Sequence, residues 1–178
     1  MTEPPLGRED DLDDHAYQVR EVYAQYGLSS YLGQVMEKGV VNLLSLHANV
    51  ESPSPTQQSF DVYFNKFAGY TLGRLILAVE KAFPAEVETI AALRRALPIR
   101  NSLAHDFFWD RATQFMSFSG REAMLSEILS MHEPFQAADA LVSALVRRVA
   151  EAGGITPAQF DANLAEALDE LKQQSPHD

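Results

Sequence analysis

Hydrophobic positions recur three and four residues apart along most of the chain, and this spacing predicts an all-α fold. The first such stripe holds five members: Leu12, Ala16, Val19, Tyr23 and Tyr26. The spacing resumes after Gly27, so one long helix and two joined helices are both compatible with it. The sequence contains no internal repeat and no convincing pair of strands. We therefore predict an elongated bundle of about four to five helices.

Turn-forming residues and proline divide this pattern into helices. Residues 50–59 contain two prolines and several small polar residues, which predicts a loop. Thr71 is a predicted N-cap for a helix that ends before Pro84. The third predicted helix runs from about residue 85 to residue 110 and contains Pro98. Because proline lacks the backbone donor of a helix interior, we expect a kink or a restart there.

The C-terminal third has further start and stop signals. Ser119 and Glu122 have capping-box spacing, which predicts a helix to about residue 151 with a bend at Pro134. The pair Gly153-Gly154 should end that helix, and Thr156 should cap a last amphipathic one. Three parts result: a flexible N-terminal tail at 1–8, a helical domain at 9–153, and a C-terminal helix and tail at 154–178.

Composition narrows the classes of protein that the chain can represent. It has 178 residues, no cysteine and a net charge of −11. The absence of cysteine excludes disulfides, cysteine zinc sites and thiol catalysis, and it favours a cytoplasmic protein. The sequence shows neither a signal peptide nor a run of about 18 apolar residues, so we expect no membrane span. The acidity opposes binding to nucleic acid, which would need a local basic patch.

The segment from Arg100 to His105, Arg-Asn-Ser-Leu-Ala-His, concentrates the most informative chemistry. Arginine is a permanent cation that binds phosphate oxygens, and histidine transfers protons near neutral pH. Asn101 supplies both a hydrogen-bond donor and an acceptor. These groups are the parts needed to break an RNA backbone with its own 2′-hydroxyl as the nucleophile.

A helical projection of residues 99–109 separates two faces at about 100° per residue. The apolar face is formed by Ile99, Leu103 and Phe107, and Ala104 and Phe108 widen it. The opposite column is formed by Asn101, His105 and Trp109. Arg100 lies about 140° from His105 on this projection. The two side chains converge only if Pro98 distorts the helix or if a second copy of the chain supplies half of the site.

The segment resembles the R-x(4–6)-H motif of HEPN domains, in which a polar residue such as asparagine often follows the arginine. The resemblance implies a small helical bundle that dimerises so that two motifs face each other. It also implies metal-independent endoribonuclease activity, as in toxin–antitoxin, antiviral and RNA-processing systems. It extends to Arg100, Asn101 and His105 only. In these roles His105 is a general acid or base, Arg100 stabilises charge on the phosphate, and Asn101 orients one of them.

Other residues are weaker candidates for contact with RNA. These candidates are three arginines of the densest basic group and the only tryptophan: Arg94, Arg95, Arg111 and Trp109. A solvated face explains the arginines almost as well, and a core or dimer interface explains the tryptophan. The five histidines have no metal-ligand spacing, so we expect no metal and no cofactor. DNA lacks the 2′-hydroxyl and is not an expected substrate.

A non-catalytic function remains the alternative. Some HEPN domains only bind RNA or pair with other proteins, and an acidic helical surface suits a basic protein partner. In that case Arg100 pairs with an acid such as Asp106 or Asp110. His105 then only forms hydrogen bonds at the helix surface.

Overall fold

The computed structural model describes residues 13–174, and all regular structure in that range is helical. The helices are α1 (Asp14–Val50), α2 (Gln57–Ala68), α3 (Leu72–Ala82), α4 (Val87–His105), α5 (Phe107–Asp110), α6 (Ala112–Phe115), α7 (Phe118–Ser130), α8 (His132–Ala152) and α9 (Pro157–Gln174). The all-α prediction is confirmed. The predicted tail at 1–8 and residues 9–12 of the predicted helical domain lie outside the described residues.

Helix α1 is continuous through Gly27, which settles the choice between one long helix and two joined ones. A glycine in a helix interior costs about 1 kcal/mol relative to alanine. Burial of the apolar face on both sides of it outweighs that cost, since Val22 and Met36 are completely buried.

Several predicted helix ends are confirmed by their caps. The Thr71 side chain accepts a hydrogen bond from the backbone nitrogen of Arg74 at 3.4 Å. Thr156 and Gln159 form a capping box, in which the Gln159 side chain accepts from the Thr156 nitrogen at 2.9 Å. Gly154 has a φ of 86°, the left-handed conformation that favours glycine after a helix. Local sequence signals therefore define these ends.

The third predicted helix differs from its prediction at two points. Helix α4 continues through Pro98, which excludes the restart from the two outcomes predicted there, a kink or a restart. Proline removes only one backbone donor, and buried side chains on both sides, Leu93 and Leu103, hold the helix together. The helix ends at His105 instead of continuing to residue 110, and a break at Asp106 separates it from α5.

The predicted fourth helix also begins and divides at other residues. Its cap is Ser117 instead of Ser119, because the Ser117 hydroxyl accepts from the Gly120 nitrogen at 3.1 Å. The chain breaks at Met131 and not at Pro134. Pro134 lies in the first turn of α8, where a backbone donor has no partner within the helix and its loss costs little. These breaks give more helical segments than the four to five predicted.

The chain forms two compact units. The first contains residues 13–36 and 91–138, and the second contains 37–90 and 139–174. Buried residues of the first unit include Val22, Leu103, Phe107, Met124 and Phe135. Those of the second include Val40, Leu43, Leu72, Leu75 and Val79. All residues of the predicted site belong to the first unit.

Within residues 13–174, no helix combines the length and the apolar character that crossing a membrane requires.

The two faces of α4 predict opposite sensitivities to truncation. Leu103 is 5% exposed, so Leu103→Ala should lower the free energy of unfolding by about 2–5 kcal/mol. His105→Ala, at an exposed position, should cost less than about 0.5 kcal/mol. Urea denaturation measures both values, and equal losses would contradict the assignment of the faces.

Candidate functional site

The C-terminal end of α4 is anchored to α1 through Tyr26. The Tyr26 hydroxyl donates a hydrogen bond of 2.6 Å to the backbone carbonyl of Leu103. The Tyr26 ring also packs against Phe107 and Phe108, with centroid distances of 5.6 Å and 4.8 Å. Because Phe107 is fully buried, this aromatic cluster fixes the segment that follows the predicted motif.

The predicted polar column of α4 faces solvent. Asn101 and His105 are exposed, and Trp109 of α5 is 86% exposed. Of the predicted apolar face, Leu103 and Phe107 are buried and Ile99 and Phe108 are half-buried, whereas Ala104, which was expected to widen it, is exposed. The column therefore places an amide and an imidazole one helical turn apart, where both can reach a ligand.

Arg100 occupies a different face of the same helix. It is half-buried and lines a cavity of about 190 Å³, together with the next turn of α4 at Leu103 and Ala104. The remaining wall comes from α1 and α8: Tyr26, Ser30, Gly33, Gln34 and Phe135. Asn101 and His105 are not part of this wall. Since α4 is continuous, an ideal helical projection places Arg100 about 140° around the helix axis from His105.

Two of the other arginine candidates, Arg94 and Arg95, are exposed on α4. The third, Arg111, is engaged within the protein. Its guanidinium donates to both carboxylate oxygens of Glu127, with an Nε–Oε2 distance of 2.6 Å, and to the Phe107 carbonyl at 3.2 Å. It also lies over the Phe107 ring at 4.4 Å.

This hydrogen bonding to Glu127 raises the pKa of Arg111, although partial burial opposes the shift. The positive charge of Arg111 is therefore compensated within the protein. Arg111 holds α5 to α7.

Sequence reasoning missed the α1 side of the cavity. Tyr26, Ser30 and Gln34 recur every four residues, so they form one polar column of a helix. This four-residue spacing is the signal in the sequence that could have identified the α1 side of the cavity. Arg121 was also missed: it is 2% exposed and donates to the Gln18 side chain at 2.9 Å and to the Phe115 carbonyl at 3.0 Å.

In the part of the chain that the structure describes, no three histidine, aspartate or glutamate side chains lie close enough to hold a metal ion. Comparison of the chain with models of protein families, with curated proteins and with solved structures found no match.

Arg111 and Arg95 should respond differently to truncation. Arg111→Ala removes a bidentate ion pair, and we expect a loss of about 1–3 kcal/mol in the free energy of unfolding. Arg95→Ala, the matched exposed control, should change it by less than about 0.5 kcal/mol. Thermal denaturation of both variants checks this, and a neutral Arg111→Ala would contradict the structural role.

Proposed function

We propose that the protein is a HEPN-like, metal-independent endoribonuclease. The observation that carries this proposal is the exposure of Asn101 and His105 side by side on the last turns of α4, with Arg100 adjacent in sequence. A proton-transfer group that faces solvent is accessible to a polymeric substrate. A histidine buried in the core would not be.

The reaction follows from the chemistry of these three side chains. The RNA 2′-oxygen attacks the adjacent phosphorus as it loses its proton, and the bond to the 5′-oxygen breaks as that oxygen gains a proton. His105 transfers a proton at one of these oxygens as general base or general acid. Arg100 stabilises the charge that develops on the phosphate, and Asn101 orients the histidine or the phosphate. The products carry 2′,3′-cyclic phosphate ends.

A complete site in this proposal needs two chains. Arg100 and His105 diverge by about 140° on α4, so His105 of one copy must meet Arg100 of another. A two-fold homodimer with α4 near the axis provides that arrangement twice. The large exposed side chain of Trp109, four residues beyond His105 in α5, supports a contact with a second copy or with a stacked base.

The charge distribution limits how RNA can bind. The chain carries −11 overall, whereas α4 carries the exposed cations Arg94 and Arg95 and the half-buried Arg100. Binding through so small a basic patch depends on few phosphate contacts. It should weaken as salt rises, with a slope set by the number of those contacts.

The test is cleavage of single-stranded RNA in excess chelator. We expect cyclic phosphate ends, no cleavage of the matching DNA, and a loss of about 10²–10⁴-fold in rate for His105→Ala. Asn101→Ala should reduce the rate less, and Lys81→Ala, at an exposed position of α3 outside the proposed site, serves as the control that keeps the cleavage activity. Equal rates for the parent and His105→Ala would show that the activity comes from elsewhere.

A second candidate function is a non-catalytic interaction protein. It is favoured by large apolar side chains of the first unit that are mostly exposed, among them Trp109 at 86%, Met116 at 80% and Phe118 at 53%. Exposed apolar side chains of this size are typical of sites that bind another protein. Failure of the pure parent protein to cleave any of a varied set of RNAs would favour this candidate. A cytoplasmic role in a toxin–antitoxin or defence system belongs to the first proposal.

A further inference from the structure

Helix α7 carries apolar side chains on two faces, and only one of them is buried. The buried face contains Arg121, Met124 and Ile128. On a helical projection, Phe118, Leu125 and Leu129 fall within about 40° of one another and about 90° from the centre of the buried face. Phe118 is 53% exposed, Leu129 is 51% exposed and Leu125 is half-buried. These three side chains form the α7 stripe, which is about 16 Å long.

Contacts on the other sides of α7 fix the direction in which the α7 stripe points. Arg121 donates a hydrogen bond of 2.9 Å to the Gln18 side chain of α1. Glu127 accepts from Arg111, and it lies on the projection about 180° from Phe118. Because both contacts are made within the first unit, its fold holds α7 with the α7 stripe toward solvent.

The exposed charge of this part of the first unit is acidic. Within residues 106–138, all of which the structure describes, every exposed charged residue is an acid: Asp106, Asp110, Glu122 and Glu133. The two arginines of that range do not offset this charge at the surface, since Arg121 is buried and Arg111 is paired with Glu127. Glu122 lies one turn after Phe118 on α7, so an acid borders the α7 stripe directly.

We propose that the α7 stripe binds an amphipathic helix of another protein whose polar edge carries lysine or arginine. The apolar side chains of that helix replace water on the α7 stripe, and its cations face Glu122. The inference goes beyond the ribonuclease function and does not rest on it. It gives the second candidate function a defined surface and a partner of defined chemistry.

The acidic charge favours this partner over RNA and over a second copy of the chain. RNA brings phosphates, which Glu122 repels. A second copy brings the same acid. In an antiparallel two-fold pairing that places Phe118 against Leu129 of the other copy, the two Glu122 side chains come about one helical turn apart, so like charges meet. A helix with a cation at that position pairs with Glu122 instead.

The test is fluorescence anisotropy with a labelled synthetic peptide of leucine and lysine that forms an amphipathic helix. We expect saturable, equimolar binding to the full chain that weakens as salt rises, and no binding of the same peptide with glutamate in place of lysine. A leucine–lysine peptide in scrambled order is the control for charge alone. It should bind about tenfold more weakly, because it cannot align its apolar side chains with the α7 stripe.

Two pairs of variants locate the bound peptide. Leu129→Ser should weaken binding about tenfold, whereas Leu77→Ser, at a 62% exposed position of α3 in the second unit, should leave it unchanged. Glu122→Lys should weaken binding more than Glu151→Lys, which changes the net charge equally at an exposed position of α8 in the second unit. Thermal denaturation of all four variants checks that each one folds.

Binding that follows net charge alone would overturn the proposal: equal weakening by the two lysine variants, or no effect of Leu129→Ser. Absence of saturable binding would overturn it as well. A parent dimer that Leu129→Ser dissociates in analytical ultracentrifugation would assign the α7 stripe to a second copy, against the proposal. Shifts of the Leu129 methyl NMR signals on addition of RNA alone would assign it to RNA, with the same consequence. None of these readouts requires cleavage, so failure here is distinct from failure of the ribonuclease proposal.

Discussion

The candidate site depends on the contact between Tyr26 and the end of α4. The last four carbonyls of a helix have no donor within it, and Leu103 belongs to that group. The Tyr26 hydroxyl supplies a donor at 2.6 Å, and its ring packs on the aromatic pair that follows the break at Asp106. This contact fixes the rotation of α4 about its axis. The same rotation turns His105 toward solvent and Arg100 toward the cavity.

The sequence predicts the structural features that depend on residues close together along the chain. The caps at Thr71 and Thr156 involve residues three positions apart, and the exposed column of α4 follows from helical periodicity. The chain breaks at Asp106 and Met131 without proline or glycine at either position, so the turn signals did not reveal them. Helix α4 accommodates Pro98 because the packing of buried side chains on both sides of it outweighs the tendency of proline to interrupt a helix.

Contacts between distant residues were not predictable from the pattern. The partner of Leu103 lies 77 positions away, and Gln18 accepts from Arg121 across 103 positions. Arg111 resembled Arg95 in the sequence, yet its pairing with Glu127 sets it apart. Such pairings depend on how α1, α4 and α7 pack, which composition and periodicity do not encode. The cavity was missed for the same reason: three helices contribute to its wall, and only the α1 part of the wall has a periodic signal in the sequence.

In the proposed dimer each chain supplies half of each site, because the cation and the proton-transfer group lie on different faces of one helix. Mixing two inactive variants, Arg100→Ala and His105→Ala, tests this most directly. If subunits exchange freely, half of the dimers are mixed and each holds one complete site, so about a quarter of the parent RNA cleavage should return. Parent protein that cleaves RNA, together with a mixture that stays inactive, would contradict a site shared between chains.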